Sequence, residues 1–288
     1  MKKLLIISGK GGTGKTTTAA AFIRFAQAKA FADCDVDAPN LHLITDMASE
    51  PTHTDYQGSS KAMIDADACI GCGKCKAACR FDAIRLTEGQ YAIDEYACEG
   101  CGVCVYVCPQ KAVQLHTDIA GSISLYQDER VFSTATLRMG RGNSGKLVAA
   151  VKMAMADAAP DAELAIIDGS PGVGCPVIAS ISGVDLVLLV AEPSVSGFSD
   201  LQRIIKTAAI FGTKTLVCIN KFDVDMHMAS QIEQYCQAES IPFVGRIPFD
   251  REVSTAINTS RSIAEVDCSA RDALRAVYHE TIAYLKGA

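Results

Sequence analysis

The sequence lacks any apolar run that approaches the ~20 residues needed to span a bilayer as a helix. It also lacks an excess of positive charge, since its 288 residues carry a formal net charge of −6. A protein that wraps nucleic acid neutralises phosphates with a basic face. These two shortages argue against a membrane-spanning helix and against nucleic acid as a partner.

The composition is that of a folded protein with a large core, because 49% of the residues are hydrophobic. The chain starts Met-Lys-Lys and continues with a short apolar run, as a signal peptide does, but glycines from Gly9 onward interrupt that run too early. We therefore expect a cytoplasmic protein. In that compartment its 13 cysteines indicate metal binding in preference to disulfides.

A glycine-rich segment follows the apolar residues 4–7 and precedes an alanine-rich stretch. Its spacing, G-x-x-x-x-G-K-T, is that of a phosphate-binding loop, in which Lys15 reaches the β- and γ-phosphates and the Thr16 hydroxyl binds Mg²⁺. A helix from Lys15 to about Lys29 adds its positive dipole end to the same anion site. The predicted nucleotide-binding residues of this loop are Gly9, Lys10, Gly11, Gly12, Thr13, Gly14, Lys15, Thr16 and Thr17.

Lys10 stands at a position that an ordinary phosphate-binding loop leaves free. The string KGGTGKTT of residues 10–17 resembles the deviant Walker A motif of the MinD/ParA/nitrogenase-iron-protein superfamily of dimeric ATPases. The resemblance implies a homodimer, or a heterodimer with a related ATPase, on ATP binding. It also implies that Lys10 acts in trans on the partner's nucleotide, whereas the alternative is a solvated lysine on a loop.

A segment with three aspartates follows the short apolar strand predicted at residues 30–32. Acidic residues at the carboxyl end of a strand beside a phosphate-binding loop face the ligand in a parallel sheet. The segment resembles switch I of MinD-like ATPases, which implies that Asp35 orients or deprotonates the attacking water. A turn-forming or helix-capping role is the alternative, above all for Asp33 and Asp37.

Eight cysteines form two runs with the same C-x2-C-x2-C-x3-C spacing. This repeat is the two-cluster ferredoxin pattern, in which the last cysteine of each run completes the cluster of the other run. We predict one 4Fe–4S cluster on Cys69, Cys72, Cys75 and Cys108. We predict a second on Cys98, Cys101, Cys104 and Cys79. Zinc is the alternative, because C-x2-C pairs also bind Zn²⁺.

The cysteine runs, together with a predicted short hairpin, distinguish one segment from the rest of the chain. Arg80 follows the first run and Pro109 the second, and residues 83–86 and 91–93 flank Glu88-Gly89 as a predicted hairpin. We expect a ferredoxin-like α+β domain at residues 59–116, inserted into one P-loop ATPase domain made of residues 1–58 and 117–288. Valine-, leucine- and isoleucine-rich strands predict that this ATPase domain is α/β, with a mostly parallel sheet and helices on both faces.

A second strand-end aspartate, Asp168, follows the apolar residues 164–167 and precedes a flexible turn. The arrangement is that of Walker B and switch II, with Asp168 near Mg²⁺ and Gly172 placed to sense the γ-phosphate. Cys175 has the spacing of a cluster ligand in the nitrogenase iron protein, but no cysteine lies between Pro109 and Asp168 to accompany it. We interpret Cys175 as a small buried thiol.

Residues near the end of the chain are candidates for the base of the nucleotide. The resemblance implies that Asn220 contacts adenine and that Pro248 belongs to the loop lining the adenine pocket. Asp223 leaves GTP as the alternative nucleotide, because residues 220–223 have the N-K-x-D pattern that selects guanine in GTPases. The glycine-rich basic residues 138–148 are interpreted as a partner-facing or inter-domain loop, with a second phosphate site as the alternative. A predicted helix at residues 270–285 lacks a basic face, and we expect it to pack on the sheet.

Nearly the whole chain resembles MinD-superfamily ATPases with an inserted 2x4Fe–4S ferredoxin domain. The implied cofactors are ATP, Mg²⁺ and two 4Fe–4S clusters, and the implied partner is a redox or metallocofactor acceptor protein. We expect a nucleotide-gated electron donor. A carrier of iron–sulfur clusters or metallocofactors is the alternative, and a positioning ATPase of the MinD or ParA type is a third possibility that needs no redox centre.

Overall fold

The computed structural model describes residues 1–287. The chain divides into a large unit, made of Met1–His53, Ile123–Thr136 and the residues from Ser144 onward, and a small unit, made of Thr54–Ser122 and Leu137–Asn143. Within the described residues, no helix is long and apolar enough to cross a membrane. The strands are β1 (Lys2–Ile7), β2 (Ala30–Asp33), β3 (Thr52–Gln57), β4 (Lys61–Ile64), β5 (Ile84–Thr87), β6 (Gln90–Ile93), β7 (Val113–His116), β8 (Ile119–Gln127), β9 (Val131–Leu137), β10 (Leu164–Asp168), β11 (Leu186–Ala191), β12 (Lys214–Asn220) and β13 (Phe243–Ile247). The α-helices are α1 (Lys15–Ala26), α2 (Lys74–Ala78), α3 (Val103–Val107), α4 (Ser144–Ala158), α5 (Cys175–Ile181), α6 (Val195–Ile210), α7 (Met226–Ala238), α8 (Arg251–Asn258) and α9 (Ser269–Lys286).

The large unit is built on a mostly parallel sheet. Its strand order is β13-β12-β11-β1-β10-β2-β9-β8, and the neighbours from β13 to β9 pair in parallel. All of β11 is buried, as a strand covered on both faces must be. This is the α/β architecture that the apolar strands predict.

Helices α1 and α9 form much of the core against this sheet. Phe22 of α1 and Tyr278 of α9 meet edge to face with ring centroids 5.2 Å apart, and Leu274 and Val277 are buried in the same cluster. The predicted packing of the last helix on the sheet is therefore correct. Helix α1 ends at Ala26, earlier than predicted, because Gln27 adopts a left-handed φ of 47° that stops the helix.

The small unit contains two antiparallel pairs, β4 with β7 and β5 with β6. The β5–β6 hairpin turns at Glu88 and Gly89, both with positive φ, as the sequence predicts. The buried hydrophobic core of this unit is small, and its four buried members are Ala62, Ala83, Cys98 and Val113. Strand β8 lies beside β9 in the order of the large sheet, and this neighbour was not expected from the sequence.

Candidate functional site

The phosphate-binding loop joins β1 to α1 in the large unit. Gly14 stands at the start of α1 with φ 93°, and a Cβ there would lie 2.2 Å from Asn220 Nδ2. Only glycine fits both the left-handed backbone and this close approach. The Asn220 amide donates to the Thr13 carbonyl at 2.7 Å, so the strand end at β12 is tied to the loop.

A cleft of about 1190 Å³, counting the open space at its mouth, lies over this loop. It brings together residues from the phosphate-binding loop, from the segment after β2 and from the segment after β10. The lining residues are Ser8, Lys10, Gly11, Gly12, Gly14, Lys15, Thr16, Thr17, Asp35, Asp37, Ala38, Asn40, Ser170, Pro171, Pro176 and Ile257. Gly9 and Thr13, also predicted nucleotide-binding residues, lie in the same loop but do not line the cleft.

Lys15 is the buried cation of the cleft, only 6% exposed. Its Nζ lies 2.6 Å from Asp168 Oδ1 and 3.9 Å from Asp35 Oδ2. Burial by itself lowers the pKa of Lys15, but the charge of Asp168 and the hydrogen bond to it raise that pKa above its usual value. The structure thus brings together three residues predicted for catalysis and magnesium binding, and it leaves Lys15 charged.

Asp168 ends β10 and is fully buried. Its Oδ1 accepts from Lys15, whereas its Oδ2 has no hydrogen-bond partner among the described residues. A buried carboxylate oxygen without a donor is costly unless a ligand satisfies it. This oxygen has the chemistry that Mg²⁺ or a magnesium-bound water requires.

Asp33 is buried, and its carboxylate accepts from the backbone N–H groups of Asp35, Asn40 and Leu41. This is the turn-forming role that the sequence left open for Asp33. Burial and the charge of Asp168 nevertheless raise the pKa of Asp33 to about 7. Burial also raises the pKa of Asp35, against the lowering effect of Lys15.

Lys10 is held within its own chain. Its Nζ lies 2.7 Å from Glu192 Oε2 and 3.1 Å from Ser194 Oγ. Lys221 shares the same carboxylate, with its Nζ 3.7 Å from Glu192 Oε1. Sequence reasoning missed Glu192, although an acidic residue directly after a parallel strand was the available signal.

The residues considered for base recognition lie around the end of β12 and β13. Asp223 Oδ1 accepts from the Phe249 N–H at 2.8 Å, so this carboxylate orders the segment that follows Pro248. Pro248 itself is half-buried. The Asn220 amide also donates to the Thr13 carbonyl and so connects the end of β12 to the phosphate-binding loop, while its contact with adenine stays a prediction.

The two cysteine runs of the small unit surround two separate cavities, each of about 350 Å³ including its opening. Cavity A is lined by Cys69, Cys72, Cys75 and Cys108. Cavity B is lined by Cys79, Cys98, Cys101 and Cys104. These are the two crossed sets that the sequence pattern predicts.

Each cavity includes one thiol that accepts a backbone N–H. The N–H of Ala112 lies 3.3 Å from Cys108 Sγ, and that of Ala62 lies 3.5 Å from Cys98 Sγ. Burial raises the thiol pKa of Cys75 and of Cys104. Over residues 1–287, no three His, Cys, Asp or Glu side chains converge closely enough to hold one metal ion.

Cys175 is exposed, so its interpretation as a buried thiol is wrong. The reason is that α5 begins at Cys175, and Val177, two residues later, takes the buried position.

The glycine-rich basic residues 138–148 form a loop up to Asn143, and α4 begins at Ser144. In this loop, Arg141 lies 2.7 Å from Glu95 and 3.0 Å from Asp118. Because two carboxylates neutralise Arg141, a second phosphate site there is not supported.

Comparisons in sequence point to one family. Residues 4–263 match the family described as the CobQ/CobB/MinD/ParA nucleotide binding domain. An uncharacterised protein of Methanocaldococcus jannaschii, MJ0578, is 38% identical over 230 residues, which are 76% of this chain and 78% of that protein. A second uncharacterised protein of the same organism, MJ0579, is 27% identical over 264 residues, 83% of this chain and 92% of that protein.

Solved structures share the fold. The cell division ATPase MinD of Pyrococcus furiosus has a TM-score of 0.59 at 15% identity, covering 98% of this chain and 99% of that chain. The septum site-determining protein MinD of Pyrococcus horikoshii, complexed with Mg-ADP, has a TM-score of 0.58 at 15% identity, covering 99% and 97%. The match over residues 4–263, together with the phosphate-binding loop and its acidic strand ends, identifies the chain as a member of the CobQ/CobB/MinD/ParA family of nucleotide-binding proteins.

Proposed function

We propose that this chain is an ATP-hydrolysing iron–sulfur protein whose nucleotide-gated dimer couples MgATP binding and hydrolysis to electron transfer. In this proposal two 4Fe–4S clusters supply low-potential electrons to an acceptor protein. The observation that carries it is the division of eight cysteines between cavity A and cavity B, four to each.

The donor set of each cavity fits a 4Fe–4S cluster. Four thiols is the ligand number of such a cluster, and an N–H donor to one sulfur in each cavity is the contact that stabilises a bound thiolate cluster. A zinc site draws its thiolates to ~2.3 Å from one ion. The cysteines surround a cavity and do not converge on one point, which favours the cluster over zinc. When bound, the clusters supply one-electron chemistry at low potential.

The nucleotide side of the proposal rests on the cleft of the large unit. Lys15 would exchange its contact with Asp168 for the phosphates, and Thr16 and the free Oδ2 of Asp168 would hold Mg²⁺ or its water. Asp35 lies 3.9 Å from Lys15 and lines the cleft, where it would orient an attacking water. The N–H groups of residues 9–17 would bind the phosphates, and Pro248 would border the base.

Two other functions have support of different weight. The similar structures named MinD are cell-division ATPases, but at 15% identity they support the fold alone. A cluster carrier has one observation in its favour, namely that Cys72 and Cys101 are exposed, one at each cavity. Six of the eight cysteines are buried or half-buried, however, and a closed ligand set suits electron transfer better than cluster release.

Anaerobic reconstitution separates these functions. Protein purified without oxygen should contain eight iron atoms per chain, and Cys72→Ser should damage one cluster first. Dithionite-reduced protein is then mixed with MgATP or MgADP and with oxidised benzyl viologen. We expect faster dye reduction with MgATP. Zinc without iron would refute the proposal, and ATP-dependent loss of iron to an apo-ferredoxin would establish the carrier.

Linkage provides a second readout of the same protein. If MgATP shifts the reduction potential of a cluster, reduction must shift MgATP affinity by the same free energy, and ~59 mV for one electron equals a tenfold change. We expect MgATP to lower the potential, since an added negative charge disfavours an added electron. Equal MgATP affinities for oxidised and reduced protein would mean that the two cofactors are not coupled.

A further inference from the structure

Lys61, the first residue of β4, is a buried cation in the small unit. Its side chain is only 6% exposed, and its Nζ donates to the Cys98 carbonyl at 2.5 Å. Cys98 lines cavity B, and so does Ala62, the residue after Lys61. The ammonium is therefore fixed at the backbone of a residue proposed to bind a cluster.

Within residues 1–287, Lys61 is without a carboxylate partner. Over the described residues, none of the ion pairs within 4.0 Å includes its ammonium. A charge removed from water needs an opposite charge or it is strongly unfavourable. A thiolate-bound cluster is an anion, and cavity B is where that anion would lie.

Among the described residues of the small unit, cavity A has no buried cation that matches Lys61. The repeat that produces the two runs places Gln90, exposed and uncharged, at the position in β6 that corresponds to Lys61 in β4. The lining of cavity A includes Lys74 and that of cavity B includes Glu99, but both are exposed and solvent screens their charges. Arg141, the one half-buried cation of the small unit, is paired with Glu95 and Asp118.

The sulfur hydrogen bonds do not distinguish the cavities, since each has one N–H donor from an alanine. The fixed charge of Lys61 does distinguish cavity B from cavity A. A buried positive charge stabilises the added electron on a nearby cluster, because the Coulomb interaction is little screened in the interior.

We propose that Lys61 makes the two clusters unequal, raising the reduction potential of the cluster bound in cavity B above that of the cluster in cavity A. This inference rests on the proposed function. A single electron entering the protein then reduces the centre in cavity B and leaves the centre in cavity A oxidised. Lys61 does not line cavity B itself, and it acts on the cluster there through its charge.

A redox titration of the anaerobic holoprotein, followed by electron paramagnetic resonance, tests this. We expect two separate one-electron waves in the wild type. Cys101→Ser should alter the spectrum of the higher wave, and Cys72→Ser that of the lower one. Lys61→Met keeps the length of the side chain and removes its charge, and it should lower the higher wave by at least tenfold in the reduction equilibrium, or ~59 mV.

Two control variants separate charge from packing. Lys61→Arg keeps the charge and should keep the two waves apart, whereas Lys74→Met removes an exposed charge at cavity A and should shift neither wave by as much as Lys61→Met does. Two coincident waves in the wild type would overturn the inference without any variant, while eight iron atoms per chain would still support the proposed function. Protein without iron would refute the proposed function itself.

Discussion

At the scale of single residues, three carboxylates, those of Asp33, Asp35 and Asp168, lie around the ammonium of Lys15. Lys15 neutralises Asp168 at 2.6 Å, while Asp33 lies buried nearby with three backbone N–H donors. The charge of Asp168 and burial raise the pKa of Asp33 to about 7 despite those donors. A cation placed at Asp168 would reverse the effect, because it favours ionised Asp33.

The binding of MgADP should therefore depend on pH. Below the pKa of about 7, Asp33 is protonated in the free protein, and Mg²⁺ favours its ionised form, so binding releases a proton. Affinity for MgADP should rise with pH up to about pH 7, by at most about tenfold per unit, and level off above it. Isothermal titration calorimetry in two buffers of different ionisation enthalpy measures the released protons.

Two controls isolate Asp33. ADP without Mg²⁺ should bind with little pH dependence from this group, and Asp33→Asn, which keeps the size of the side chain, should remove the proton release. Affinity for MgADP that stays constant from about pH 6 to about pH 8 in the wild type would contradict the assignment.

At the scale of elements, the phosphate-binding loop is braced by the ends of two other strands. Asn220 at the end of β12 donates to Thr13, and Glu192, just after β11, binds Lys10 at 2.7 Å. A lysine that works on the neighbouring subunit's nucleotide must first leave this ion pair. In the single chain, Glu192 is thus the ion-pair partner of Lys10.

Lys10→Ala should leave nucleotide binding largely intact and lower turnover by ~10³-fold, the effect of removing a cation supplied in trans. The decisive measurement is ATPase activity after mixing a Lys10→Ala chain with an Asp35→Ala chain. Each heterodimer then has one complete composite site, and we expect activity to recover in part.

Lys221→Ala is the matched control, because Lys221 shares Glu192 but also contacts the Gly12 carbonyl of its own chain at 3.0 Å. Mixing Lys221→Ala with Asp35→Ala should recover no more activity than separate homodimers have, if Lys221 acts only in cis. Heterodimers of the Lys10→Ala and Asp35→Ala chains that form without recovery would assign Lys10 to its own subunit's site.

At the scale of the whole molecule, the two units differ in what stabilises them. The large unit buries a continuous core of strand and helix side chains. The small unit buries only eight hydrophobic residues, of which four are alanines and two are cysteines. So small a core does not by itself offset the entropy of ordering the chain, and the proposed clusters would contribute the rest of the stability of the small unit.

Removal of iron by a chelator should therefore unfold the small unit alone. Amide hydrogen exchange should show β5 and β6 losing protection while β1, β10 and β11 keep theirs, and MgADP should still bind. The Cys268→Ser chain, altered at a cysteine outside both runs, should keep its iron and its protection. Full protection of β5 and β6 without iron would show that the unit folds on its own.

Much of this protein could be predicted from its sequence, because the features concerned depend on short-range residue patterns. The phosphate-binding loop, the aspartates at the ends of β2 and β10 and the two crossed cysteine sets depend on residue types at fixed short spacings. The β5–β6 hairpin follows from its own turn residues. Such features are set by neighbours along the chain, so a single sequence is enough to predict them.

Tertiary structure decided the features that depend on burial and on distant partners. Cys175 is exposed, Lys10 is paired with Glu192, and Asn220 braces Thr13. The burial of Lys61, and the contact of its ammonium with a carbonyl and with no carboxylate of residues 1–287, also depend on the tertiary structure. No spacing encodes these contacts, because whether a lysine meets solvent, a carboxylate or a carbonyl depends on which remote segment packs over it.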